Sequence, residues 1–153
     1  MATRPVLIGQ ALAVGSALRP HVRNGLGALS GGDRGLIAAT ERPRVGDSLN
    51  LDLAMQPEFP EAHRWDYLLS IPNIAQIVGV EPHTARDDEI NVVISKRRNA
   101  VDYLRDHLPA HHRVSQWYWL SSGPVRFSKM ERARRLLDQN GIRFEGRMLR
   151  SFG

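Results

Sequence analysis

Residues 64–83 read RWDYLLSIPNIAQIVGVEPH, and the way this stretch folds decides how the rest of the chain is read. Trp65 to Ile71 and Ile74 to Val80 are short apolar runs separated by Pro72 and Asn73. Turn residues between two such runs predict a β-hairpin. An amphipathic helix from Glu61 to Ser70 competes with it, because Trp65, Leu68 and Leu69 would also share a helical face. In the hairpin, facing residues have numbers that sum to about 147, so Asp66 lies opposite Glu81 and His83 follows two residues later. Two carboxylates held together repel unless a cation or a proton sits between them. Mg²⁺, or Mn²⁺ in its place, on one or two carboxylates and water is the usual arrangement where phosphate is processed. His83 would serve as general base or water-orienting group, since imidazole titrates near neutrality.

Upstream, Val45 to Met55 alternates, with Leu49, Leu51 and Leu53 on one face and Asn50, Asp52 and Ala54 on the other. That period predicts a half-buried strand, ended by Pro57 and Pro60. Downstream, Asn91–Ile94 alone looks like a strand, but Ile90, Val93, Ile94, Val101, Leu104 and Leu108 recur at helical spacing. The longer pattern predicts a helix over 85–108, capped by Thr84, with acids in its first turn and Pro109 beyond its end. Ser115 to Ser121 reads as a strand, with Trp117 and Trp119 on one face and Tyr118 on the other. Ser128 and Glu131 form a capping-box pattern before an apolar stripe of Met130, Ala133, Leu136 and Leu137. Gly141 suits a helix C-cap, and Ile142 to Leu149 reads as a final strand. The expected fold is α/β, a mixed β-sheet flanked by helices in the order β-β-β-α-β-α-β.

A strand with Asp, a hairpin, a strand ending in Glu-x-Lys, then a helix and a further strand resembles the restriction-endonuclease-like PD-(D/E)XK superfamily. Arg64–Tyr67 and Val80–His83 are similar to small bacterial proteins of that type. The resemblance spans roughly residues 45–150 in topology. It implies a metal-dependent nuclease, with Asp66 and Glu81 holding the metal and His83 where the family has a lysine that orients or activates water. No proline directly precedes Asp66.

Charge is unevenly spread along the 153 residues, whose net formal charge is +5. Residues 1–32 hold three arginines and no acid, whereas residues 33–89 hold eleven acids against five arginines. Residues 126–153 then hold eight bases and three acids, and nineteen of the twenty-one bases in the chain are arginine. An acidic middle between arginine-rich ends fits a metal site within a phosphate-binding surface, and it also fits a well-solvated surface. Arg97, Arg98, Arg132, Arg134 and Arg135 are the candidate nucleic-acid contacts.

Asp52, Glu58, Glu61 and Lys96 could reach the site, but each reads better as a solvated side chain. The adjacent His111 and His112 read as loop, and the tryptophans as core before base-stacking platforms. There is no cysteine, which excludes disulfides and thiolate metal sites and fits a reducing, cytoplasmic compartment. Val6–Leu18 is apolar but interrupted by Gln10 and too short to span a bilayer, so no membrane association is expected. The compact domain is expected over 44–153, preceded by an arm or extension over 1–43. Two alternatives to the nuclease remain: a non-catalytic module binding nucleic acid or protein on the same scaffold, and a subunit docking a protein partner through residues 1–32.

Overall fold

The computed structural model describes residues 6–153. Its centre is the predicted hairpin, β3 (Tyr67–Ile71) and β4 (Gln76–His83). These pair antiparallel with Tyr67 opposite Val80 and Leu69 opposite Val78, the expected register. A short 3-10 turn at Pro72–Ile74 and a left-handed Ala75 close the loop. The competing helix over Glu61–Ser70 is not formed. Ser70, Ile71 and the leucines before them are buried on both faces of the sheet, which a one-sided helix could not achieve.

On one side the sheet continues through β2 (Asp47–Asn50) and β1 (Val22–Asn24), both antiparallel to their neighbours. On the other, α4 (Ile90–Leu104) crosses to β5 (Gln116–Ser121), and α5 (Met130–Gln139) crosses to β6 (Ile142–Phe144), both strands parallel to β4. The result is an α/β fold on a six-stranded mixed sheet in sequential order, with the predicted β-β-β-α-β-α-β series running from β2 to β6. No described helix is long and apolar enough to cross a membrane.

Several boundaries differ from expectation, each for a local reason. The strand predicted to reach Met55 stops at Asn50. The Asn50 side chain accepts from the Leu53 N–H at 2.9 Å and starts a short helix, α3 (Leu51–Met55), which leaves Leu53 exposed. Thr84 does not cap α4, which opens instead from a 3-10 turn at Asp87–Glu89. The Ser128 capping box is not made, because the Ser128 N–H donates to Asp87 at 3.1 Å. The last strand ends at Phe144. Leu149 instead pairs with Ile37, and Gly141 takes the left-handed cap conformation as expected.

The two faces of the sheet have separate cores. Trp65, Leu68, Ile77, Trp117 and Trp119 lie under α4, α5 and the N-terminal residues Ile8, Leu12 and Leu18. Tyr67, Leu69, Val78, Val80 and Tyr118 lie under Leu29, Ile37, Leu149 and Phe152. Residues 6–43, which include the short helices α1 (Ile8–Ala11) and α2 (Gly31–Arg34), are therefore an extension that covers both faces. The buried Asp47 carboxylate secures its start, accepting from the Ile8 N–H at 2.9 Å, the Gly9 N–H at 3.0 Å and the Ser70 hydroxyl at 2.5 Å. With Ile8 and Leu18 fully buried, residues 6–32 help to close the core, while Val14 stands exposed.

Candidate active site

On the α4 face of β4, alternate residues run Ile77, Gly79, Glu81. A side chain at position 79 would collide with the rings above it, since a Cβ there would lie 2.5 Å from Trp117 and 2.9 Å from Trp65. The bare glycine lets both tryptophans come close to the strand, where their rings meet edge to face at 84°. Glu81 follows immediately beyond them, with no solvent exposure.

A buried carboxylate needs partners, and Glu81 has two strong ones. Its Oε1 accepts from the Asp66 backbone N–H at 2.8 Å, and its Oε2 accepts from Lys96 Nζ on α4 at 2.5 Å. Lys96 departs from the surface position expected of it: its side chain is only 14 % exposed and points into the sheet. The reason is its place on α4. Lys96 is three residues after Val93 and four before Ala100, both fully buried, so it belongs to the inward stripe.

Asp66 sits where the chain enters β3. Its N–H is given to Glu81, and its carbonyl accepts from the Leu51 N–H at 2.8 Å and the Asp52 N–H at 3.3 Å. The backbone is thus fastened on both sides, while the carboxylate makes no hydrogen bond or ion pair among the described residues. Burial raises the Asp66 carboxyl to about 6. Lys96 opposes this shift, and the charges of Asp52 and Asp33 add to it. Burial also pushes Glu81 up, to about 8, with the Asp66 charge adding to it and Lys96 opposing. Burial pulls the Lys96 ammonium down, but Glu81 more than offsets this and holds it protonated. Glu81 therefore holds the Lys96 ammonium directly, Asp66 feels it only through space, and both carboxyls keep a proton more readily than usual.

His83 stands at the rim. Its Nε2 lies 2.8 Å from Glu89 Oε2, and its Nδ1 lies 3.6 Å from Glu81 Oε2. Its backbone carbonyl accepts from Trp119 Nε1 at 3.1 Å, which fixes the end of β4. The hydrogen bond from His83 holds the Glu89 carboxyl below its ordinary value. The three residues expected at the site, Asp66, Glu81 and His83, are thus brought together with Lys96.

The remaining candidates lie elsewhere. Asp52, in the first turn of α3, is bound to Arg64 at 2.9 Å and acts on Asp66 only through its charge. Glu58, Glu61 and His111 are exposed, and His112 is half-buried in the 3-10 turn with His111. Arg98, Arg132, Arg134 and Arg135 are exposed and make no ion pair among the described residues. Arg97 departs from the expected outward position. It folds against the sheet with its guanidinium 5.7 Å from the Trp117 ring centre. Both tryptophans of β5 are buried, which leaves them no face for a nucleic-acid base.

Among the described residues no group of three or more His, Asp or Glu side chains could hold a metal ion. Asp66 offers an unpartnered, half-buried carboxylate of the kind a hard ion that keeps several waters takes, whereas both Glu81 oxygens are already bonded. Comparison with protein-family models, curated proteins and solved structures returns no match to this chain.

Proposed function

We propose that this chain is a metal-dependent phosphodiesterase acting on nucleic acid, built on a restriction-endonuclease-like core, with Asp66, Glu81 and Lys96 as its catalytic residues. The observation that carries the reading is the contact between Lys96 Nζ and Glu81 Oε2. The resemblance calls for a lysine two residues after the glutamate, where this chain has His83. A lysine instead reaches the same carboxylate from the following helix. The sequential strand order, with β3 antiparallel to β2 and β4, supports the same reading.

In this account Asp66 and Glu81 would hold Mg²⁺ or Mn²⁺. Such an ion would supply charge stabilisation on the phosphate oxygens and a more acidic bound water. Lys96, kept protonated by its surroundings, stabilises the charge that builds on the phosphate. Water adds its oxygen to phosphorus, the ester P–O bond breaks, and the departing oxygen leaves with a proton. His83 is committed to Glu89 through Nε2, which makes it a positioning residue for Glu81 rather than a free base.

One observation favours a second reading. Glu81 has no solvent exposure and both its oxygens are bonded, which suits a catalytically silent module that binds nucleic acid through Arg98, Arg132, Arg134 and Arg135. The test is cleavage of single- and double-stranded DNA and RNA in Mg²⁺, Mn²⁺ or EDTA by wild type, Asp66→Ala and Glu81→Gln. The nuclease reading expects metal-dependent cutting that each substitution lowers by about 100-fold or more. Absence of cutting by wild type on all four substrates selects the binding module.

A further inference from the structure

Arg97 occupies a core position. In the apolar series Ile90, Ile94, Val101 and Leu104 on α4, it fills the gap between Ile94 and Val101. Its Nε is buried and has no hydrogen-bond partner. Its guanidinium lies over Trp117 and presses on Gly141, where an added Cβ would come within 2.7 Å of Arg97 Cζ. Gly141 has a φ of +74°, so it is required both for the helix cap and for this close approach.

An Nε–H buried without an acceptor is costly, and the Trp117 ring beside the half-buried guanidinium recovers only part of that cost. A buried polar atom left without a partner calls for an explanation, and a bound ligand is one. Arg97 lines a cavity of about 210 Å³ together with Arg105 and Arg113, against a wall that includes Leu104, Leu108 and Trp117. The lining contains three guanidiniums and no carboxylate. Arg105 is tied to Asp102 at 3.1 Å, whereas Arg113 makes no ion pair among the described residues. The cavity lies towards the start of β5, while Lys96 meets Glu81 near the end of β4.

We propose that this cavity binds a phosphate monoester, with Arg97 as its inner anchor and Arg113 as its second contact. Two features choose the monoester. A dianion suits a cavity lined by several guanidiniums better than a singly charged diester does. A pocket with an apolar wall also admits the end of a molecule together with its organic body. Strand ends of nucleic acid and free mononucleotides both carry this group. The first source rests on the nucleic-acid reading above, whereas the pocket itself does not.

The test is equilibrium binding to the full chain in EDTA, where no cleavage can intervene. The probes are an oligonucleotide with a 5′-phosphate, the same oligonucleotide with a 5′-hydroxyl, and a nucleoside 5′-monophosphate. The 5′-phosphate is expected to tighten binding of wild type by about tenfold, the worth of one charge-assisted contact. Arg97→Met and Arg113→Gln should each abolish that preference, whereas Asp66→Ala should discriminate as wild type does. If Arg97→Met fails to fold, the exposed Arg113→Gln decides alone. A mononucleotide that binds as tightly as the phosphorylated strand supports the pocket and identifies the free nucleotide as its source. Equal affinity for the 5′-phosphate and 5′-hydroxyl strands, with no binding of the mononucleotide, overturns the proposal. Loss of cleavage without loss of this preference would count against the nuclease alone.

Discussion

At the scale of single residues, the candidate site is two carboxyls beside one ammonium, held in place by hydrogen bonds. Asp66 takes up its proton more readily in the folded protein, at about 6 instead of 3.8. A carboxyl raised in this way stabilises the fold fully below its unfolded value, and that contribution is lost as pH rises through the folded value. Urea denaturation of wild type should therefore show a loss of about 2 kcal/mol attributable to Asp66 between pH 4 and pH 6.5. Asp66→Asn should remove that loss, and parallel pH profiles for the two proteins would contradict it. Mg²⁺ or Mn²⁺ should raise the wild-type melting temperature above pH 6.5 and have little effect at pH 5, where the proton competes. Lys96 is legible in the sequence only through its place between Val93 and Ala100 on the inward stripe of α4. A lysine's flexible, charged side chain makes the surface its usual destination, and nothing local announces a carboxylate waiting across the sheet. Asp66 and Glu81 are easier to place together because hairpin pairing is simple arithmetic once the turn is found.

At the scale of elements, what can be read in advance is what local periodicity determines. Leu68 opposite Gly79 and Leu69 opposite Val78 follow from the turn at Pro72 and Asn73. The α4 and α5 crossovers follow from apolar stripes of sufficient length. Short elements are less legible because single side chains end them. Asn50 turns a predicted strand into a helix by accepting one N–H, and Asp87 takes the N–H that a capping box would have used. The three-residue β1 carries no alternation long enough to recognise, and it exists because β2 offers it a partner. Gly79→Ala tests the packing beside the site. The added methyl meets Trp117 and Trp65, and chemical denaturation should show a loss of about 1–3 kcal/mol. A change within about 0.5 kcal/mol would mean that the indoles can move aside.

At the scale of the whole molecule, residues 6–43 show the limit of reading a chain segment by segment. Their glycines and prolines suggest an appendage, yet Ile8, Leu18 and Ile37 are fully buried, and Asp47 anchors the first turn from across the fold. Long-range burial of this kind leaves no local pattern. Removal of residues 1–18 should therefore unfold the protein, read as loss of the cooperative thermal transition, because it opens one face of the core. Arg98, Arg132, Arg134 and Arg135 place exposed positive charge on the outer faces of α4 and α5. If they meet nucleic acid, replacing each with glutamine should reduce the slope of log affinity against log salt by about one for every phosphate no longer neutralised. In the proposed nuclease, Lys96 completes a catalytic site with Asp66 and Glu81. The most direct measurement is the Mn²⁺-dependent cleavage rate of Lys96→Met and Lys96→Arg beside wild type, with folding checked by circular dichroism. Wild type is expected to cut, folded Lys96→Met to lose about 100-fold or more, and Lys96→Arg to recover part of the rate. Cutting by Lys96→Met at the wild-type rate, or none by wild type, would contradict that role.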